Sequence, residues 1–352
     1  MATRRINVGS VPVGGGAPVS IQSMTNTRTE DVPATVEQIK RLEKAGCDIV
    51  RVAVPNMEAA AAIRAVKDAV SVPVVADIHF DYRLAVAAAE AGADKIRINP
   101  GNIGGEKNVR AVAEACRAAG VPIRIGINGG SLEKPLLAKY GGVTPEAMVE
   151  SARAQAAMLE RFGFSDICIS LKASDVRTTV AANRLAAATT DYPLHIGLTE
   201  AGAGDSALMK ASAAVGALLI DGIGDTLRVS LTDDPVKEVE TARRLLRVLG
   251  LRGGVNIVAC PTCGRTQIDL FSLYREVEAG LAGLDRDVTV AVMGCAVNGP
   301  GEAAEADYGV AGGKEWGILF KKGREIARLP ESELARALIA LVSEDTYGEK
   351  VL

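Results

Sequence analysis

Aromatic residues make up only 3% of this 352-residue chain, and histidine occurs twice. Ala, Val, Ile and Leu must therefore do most of the packing, and a hydrophobic fraction of 48% is enough for a sizeable core. No apolar run approaches the roughly 20 residues that cross a bilayer, so no transmembrane segment is expected. The opening MATRRINVGSVPVGGG has two arginines but no apolar stretch after them, which argues against a secretory signal. Neither sign of charge dominates. A net charge of −3 gives no general pull toward nucleic acid or an anionic membrane. The expected location is the cytoplasm. There Cys47, Cys116, Cys168, Cys260, Cys263 and Cys295 serve as thiols, metal ligands or catalytic groups rather than disulfides.

Between residue 18 and about 250, short β-rich runs alternate with Ala-rich stretches of helical spacing. The runs are PVSIQSM, DIVRVAV, VVADIH, KIRIN, PIRIGIN, DICISLK, PLHIGLT and DTLRVSL. Eight such units predict a (β/α)8 TIM-type barrel over residues 1–250. An open doubly wound sheet competes with it, but no Gly-rich phosphate loop follows the first strand. Thr144-Pro145-Glu146 and Asp233-Asp234-Pro235 read as helix starts with an N-cap and a proline at the first turn. SLEKPLLAKYGGVTP is longer than a usual connection and is a candidate active-site loop. After Leu251-Arg252-Gly253-Gly254 the pattern changes. Residues 255–352 predict a smaller α+β domain: strand VNIVA, a helix near 267–282, strand VTVAVMG, a Gly/Pro-rich loop, strands WGILF and EIARL, and a helix over 331–343.

Side chains on a strand alternate faces. That parity puts Ser20, Gln22, Arg51, Asp77, His79, Arg97, Asn99, Arg124, Asn128, Ser170, Lys172, His195, Thr199, Arg228 and Ser230 inside the barrel, with Glu200 just past the seventh strand. Barrel interiors are ordinarily filled with branched apolar side chains. Here Arg51, Arg97, Arg124, Lys172 and Arg228 stand against Asp77 and Glu200. Uncompensated buried charge is costly, so an anion is the natural missing partner. The planar fork of arginine suits phosphate oxygens. An interior network of mutually paired charges is the ordinary alternative. His79, two residues after Asp77, forms a candidate proton-transfer pair with it. His195 reads equally well as a satisfied interior histidine.

Cys260-Pro-Thr-Cys263 and, 32 positions later, Cys295 in MGCAVNGPGE bring three thiols to strand–loop junctions. The spacing admits zinc with one further ligand, or a [4Fe–4S] cluster with one iron lacking a cysteine. That iron would take an oxygen ligand, a partner-chain ligand or the substrate, and Glu302, at the end of the same glycine loop, is the nearest candidate. Cys47, Cys116 and Cys168 read as buried structural thiols.

Taken together, QSMTNT from Gln22, VADIHFDY from Val75, RINPGN from Arg97, RIGIN from Arg124, LKAS from Leu171, LTEAG from Leu198, GIGDTLR from Gly222, ACPTCGR from Ala259 and NGPGE from Asn298 resemble the two-domain bacterial 4-hydroxy-3-methylbut-2-enyl diphosphate synthases over nearly the whole chain. The resemblance implies reductive opening of 2-C-methyl-D-erythritol 2,4-cyclodiphosphate. It implies a [4Fe–4S] cluster held by Cys260, Cys263, Cys295 and Glu302, and diphosphate binding by Arg51, Arg97, Lys172 and Arg228 with Asn128 nearby. It also implies proton handling at Glu200, electrons from flavodoxin or ferredoxin, and a homodimer in which one chain's cluster domain serves its partner's barrel. Substituting Arg51 or Arg228 by alanine is expected to weaken substrate binding strongly and to affect folding less. Two rival classes are a zinc-stapled lyase using Lys172 as a Schiff base and a non-enzymatic iron–sulfur sensor. The colour of anaerobically purified protein separates cluster from zinc.

Overall fold

The computed structural model describes residues 3–284, 286–295, 305–314 and 316–344. Asn298 to Glu302 lie outside the described residues. The chain divides into two compact units at Leu249/Gly250.

The first unit opens with a feature that the sequence reading did not anticipate, an antiparallel hairpin of β1 (Ile6–Val8) and β2 (Val11–Val13). Eight parallel strands follow: β3 (Ser20–Met24), β4 (Ile49–Ala53), β5 (Val74–Asp77), β6 (Lys95–Ile98), β7 (Ile123–Asn128), β8 (Ile167–Lys172), β9 (His195–Ile196) and β10 (Thr226–Leu227). They pair in the order β8-β7-β6-β5-β4-β3-β10-β9. A bridge between Ile169 and Leu194 joins the two ends of that order, so the sheet closes on itself. This is the barrel that the eight βα units predicted, not the open sheet. The seventh and eighth strands are shorter than their sequence runs, although Arg228 N still donates to Ile196 O at 3.0 Å.

The helices are α1 (Val32–Ala45), α2 (Met57–Ala69), α3 (Tyr82–Glu90), α4 (Glu106–Ala119), α5 (Lys134–Tyr140), α6 (Pro145–Arg161), α7 (Val176–Thr189), α8 (Gly204–Ile220) and α9 (Pro235–Val248). Asp31, Asn56, Thr144, Asp175 and Asp234 cap their helices by accepting from first-turn amides. The long connection after β7 folds into α5. It is pinned by Glu133, which accepts from Ser151 Oγ (2.9 and 2.8 Å) and Gln155 Nε2 (2.9 Å) on α6.

The apolar face of each barrel strand packs outward, with Ile21, Val50, Val74, Ile96, Ile125 and Leu171 entering the main core against the helices. The alternate face turns inward. At the barrel floor the hairpin residues Ile6, Val8 and Val13 pack with Ile49, Val75 and Cys168 and close that end.

The second unit is a five-stranded mixed sheet in the order β11 (Val255–Ala259), β12 (Val288–Met293), β13 (Tyr308–Ala311), β14 (Gly317–Lys321) and β15 (Arg324–Leu329). Helices α10 (Leu270–Gly280) and α11 (Glu331–Glu344) belong to the same unit. The α+β character matches the sequence reading. Strand β13 was not anticipated, because YGVA follows directly on the Gly-rich segment and carries no alternation of its own. No described helix is long and apolar enough to cross a membrane.

Candidate active site

Asp77, at the C-terminal end of β5, is the only carboxylate on any barrel strand. Its Oδ1 accepts from Arg97 Nη1 at 3.0 Å. Its Oδ2 lies 3.9 Å from Arg51 Nε and 3.3 Å from His79 Nε2. Burial pushes its carboxyl up, but Arg51, the His79 hydrogen bond and Arg97 outweigh burial and hold it well below the usual carboxylate range. His79 itself is half exposed.

Arg51 also donates to Met24 Sδ at 3.1 Å. Burial pulls its guanidinium down to about 10, against the attraction of Asp77, with Arg228 and Arg97 adding to the lowering. Arg124 extends from β7 to Gln22 Oε1 on β3 at 3.3 Å. These strands are four steps apart in the eight-membered ring, so the side chain crosses the barrel. Lys172 is buried at the end of β8, and no acceptor holds it among the described residues. Burial, then Arg124, Arg51, Arg228 and Arg97, drive its ammonium well below the ordinary lysine value.

Two glycines make room for this cluster. A Cβ at Gly126 would stand 2.4 Å from Arg97 Nε, and one at Gly197 would stand 2.8 Å from Lys172 Nζ. Gly126 is not in the left-handed region, so alanine suits the backbone there, and the three atoms nearest its Cβ would all belong to Arg97. Gly126→Ala is therefore expected to dislodge Arg97 from Asp77 and weaken anion binding by about tenfold or more, with the fold retained. Titration with inorganic diphosphate checks this; an unchanged affinity would show that Arg97 is not a ligand.

Arg228 departs from the sequence expectation. Its Nε and Nη2 both donate to the carboxylate of Glu238 on α9 at 3.0 Å, leaving Nη1 near Met24 Sδ at 3.8 Å. Glu238 also accepts from Ser23 Oγ (2.9 Å) and Leu231 N (3.1 Å). In sequence Glu238 reads only as a first-turn helix acid, and nothing local marks its partner. Lys95 was missed as well, although it shares the parity of Arg97. Asn99 Oδ1 serves a turn by accepting from Gly101 N at 3.1 Å. Asn128 ends β7 beside Lys172 in register. Glu200 is exposed and sits at φ 56°, left-handed for a non-glycine residue, a kind of strain that concentrates at functional loops.

In the second unit, Cys260 follows the Ala259↔Val292 pair of the parallel strands β11 and β12, and Cys295 follows β12. Gly294 N donates to Cys260 Sγ at 3.1 Å. Cys263 is exposed, and hydrogen bonds from the Arg265 backbone and side chain pull its thiol below the ordinary value. Soft thiols at adjacent strand ends with an amide aimed at sulfur fit a thiolate-bound iron–sulfur group. Among the described residues no three His, Cys, Asp or Glu side chains already converge on a metal-sized site. Glu302 falls outside those residues.

A closed (β/α)8 barrel with a cationic interior, followed by a thiol-bearing α+β unit, defines a barrel enzyme for an anionic substrate. The chain belongs to the GcpE family: residues 3–243 match the GcpE TIM-barrel domain and residues 256–344 the GcpE protein C-terminal domain. It is 58% identical over 349 residues to a Geobacter sulfurreducens protein, covering 99% of each chain. It is 56% identical over 338 residues to one from Caldanaerobacter subterraneus subsp. tengcongensis, covering 96% of this chain and 95% of the relative. Both relatives are named 4-hydroxy-3-methylbut-2-en-1-yl diphosphate synthase (flavodoxin). Among solved structures, the type I 3-dehydroquinate dehydratase of Clostridium difficile matches with a TM-score of 0.51 at 14% identity, over 70% of this chain and 98% of that one. A truncated 3-deoxy-D-arabino-heptulosonate 7-phosphate synthase from Thermotoga maritima also scores 0.51 at 14% identity, over 70% and 94%. At that identity these two likenesses concern the barrel fold alone.

Proposed function

We propose that this chain converts 2-C-methyl-D-erythritol 2,4-cyclodiphosphate into 4-hydroxy-3-methylbut-2-enyl diphosphate, a two-electron reduction with loss of water in isoprenoid precursor synthesis. The observation that carries the reading is the charge of the barrel interior. Arg51, Arg97, Arg124, Lys172 and Arg228 share a space in which Asp77 is the only strand-borne carboxylate. A diphosphate supplies the missing negative charge, and the full-length similarity to the named synthases selects which diphosphate.

Lys172 and Arg51 have few competing partners and would bind phosphate oxygens directly, with Arg97 held ready by Asp77 and Asn128 at the rim. Arg228 would contribute through the one edge that Glu238 leaves. Asp77 holds the proton of His79 Nε2 in place, which orients the imidazole at the mouth, and Glu200 stands on the neighbouring loop. These three are the candidates for delivering a proton to the leaving oxygen. Cys260, Cys263 and Cys295 would hold a [4Fe–4S] cluster, with Glu302 assigned as fourth ligand from the family resemblance. Bound there, the cluster supplies the two electrons one at a time. Flavodoxin as donor, a homodimeric assembly and a cytoplasmic location complete the reading.

Anaerobic incubation of the reconstituted full chain with the cyclic diphosphate and reduced flavodoxin is expected to yield the linear diphosphate. Failure to consume the substrate while the cluster spectrum is intact would overturn the assignment. Lys172→Met is expected to lower kcat/KM by about 10- to 100-fold, because a buried charge-assisted contact is lost. Its fold should persist, since no described carboxylate is left behind. Substrate binding to the wild type should also be linked to proton uptake at a pH below the ordinary lysine value of about 10.4. The free amine is biased toward its neutral form, and the arriving anion reverses that bias. Calorimetry in buffers of different ionisation enthalpy reads that uptake, and it should be smaller in Lys172→Met.

A further inference from the structure

The barrel interior carries buried polar atoms that no described group meets, one of them on Arg124. Lys95 is fully buried on the inward face of β6, two residues below Arg97. Its Nζ has no hydrogen-bond partner among the described residues, and neither do Arg124 Nε and Gln22 Nε2. Ser20 Oγ and His195 Nε2 are buried and unpartnered in the same interior. His195 Nδ1 lies 3.4 Å from Thr226 Oγ1.

Three of these orphan atoms share a character that Ser20 Oγ and His195 Nε2 do not. The lysine ammonium, the Arg124 Nε–H and the Gln22 amide nitrogen only donate. Gln22 Oε1 is already used by Arg124. Nothing nearby balances the charge. Asp77 is taken by Arg51, Arg97 and His79, and Glu238 by Arg228. Cys168, which packs on the hairpin, donates its thiol hydrogen toward Ile169 O, and burial raises its pKa, so it is no counter-ion. The hairpin closes the floor with Ile6, Val8 and Val13, which keeps bulk counter-ions out from below.

We infer that the barrel floor is a binding site for a small monovalent inorganic anion, of which chloride is the simplest, held by Lys95 Nζ, Arg124 Nε and the Gln22 amide. Buried donors without acceptors are costly, and buried cations without counter-charge more so. Water would satisfy the first demand but not the second. A monovalent anion meets both demands at once, because it accepts from donor groups and carries the missing negative charge. Without the anion, burial lowers Lys95 to about 7, Cys168 raising it and Arg124 and Arg51 lowering it further. A bound halide reverses this and keeps Lys95 charged. The site uses the opposite edge of Arg124 from the one that Gln22 Oε1 occupies. It does not depend on which diphosphate, or any diphosphate, enters the mouth above.

The test is crystallographic. Crystals of the full chain grown in sodium bromide, with data collected at the bromine edge, should show an anomalous peak in contact with Lys95 Nζ and Arg124 Nε. In Lys95→Met that peak should be gone while surface bromides persist. In solution, chloride should raise Tm by about 2–4 °C over gluconate at equal ionic strength, and Lys95→Met should show no such difference. If Lys95→Met does not fold, the wild-type anomalous map decides by itself. Density without anomalous signal at this position, a peak that survives Lys95→Met, or a Tm indifferent to chloride would each overturn the site. None of these readouts involves turnover, so the result stands apart from the proposed reaction.

Discussion

Glu238→Ala is expected to destabilise the barrel unit by about 3–5 kcal/mol, the cost of leaving a buried charge without its partner. Glu238 is buried and satisfies four donor atoms at once: two on Arg228, one on Ser23 and the amide of Leu231. Alanine strands all of them. Arg228→Ala should cost less, because Ser23 and Leu231 still donate to the carboxylate, but it will not be the mild change expected from sequence. That expectation treated Arg228 as one of several mutually repelling cations. The structure pairs it in a bidentate ion pair, so its removal takes away attraction. Urea denaturation checks both variants, read as a fall in midpoint at constant m. Arg228→Met combined with Glu238→Leu should recover part of the loss, since an apolar pair leaves nothing unsatisfied. A Glu238→Ala midpoint within about 1 kcal/mol of wild type would mean that Arg228 finds another anion or water.

Asp77→Asn is the second large effect, expected to be on the order of 3 kcal/mol. The substitution keeps shape but removes the counter-charge shared by Arg97, Arg51 and His79. Its pH signature is specific. In the folded chain the Asp77 carboxyl is held well below its ordinary value; burial opposes this, and Arg51, His79 and Arg97 prevail. Its contribution to stability is therefore fully present above the unfolded carboxyl value of about 4 and is lost as pH falls below that toward the folded value. Wild type should lose stability steeply in that acid range, and Asp77→Asn should lose less. Inorganic diphosphate should in turn raise the Tm of Asp77→Asn more than that of wild type, because the variant's cations have no anion of their own. Equal acid slopes for the two proteins would remove Asp77 from the charge network.

Much of the barrel was legible because its signals are local. Period-two alternation in KIRIN, RIGIN and ICISLK placed Arg97, Arg124 and Lys172 inside, and the structure has them there. The same parity covered Lys95 and Cys168. Lys95 went unread because a lysine at a strand start looks like a solvated end, whereas the β1–β2 hairpin seals that end of the barrel. That hairpin was itself invisible: INVGSVPV is short, and its partner surface comes from Ile49, Val75 and Cys168 far along the chain. The thiols of the second unit were readable from spacing, but Glu302 lies beyond the described residues and rests on the family resemblance.

Alternating hydrophobicity and helix caps, read over a few residues at a time, settled the order of elements, the barrel class and the inward set of charges. The choice of partner for each charge was left to the tertiary structure. Gln22 and Arg124 are 102 residues apart in sequence, and Ser23 and Glu238 are 215 apart. Which cation is neutralised by the protein and which is left for a ligand depends on three-dimensional distance inside a low-dielectric enclosure. A strand pattern specifies the face on which a side chain stands, and closure of the ring brings the opposite charge within reach of Arg228 and leaves Lys172 and Lys95 without one.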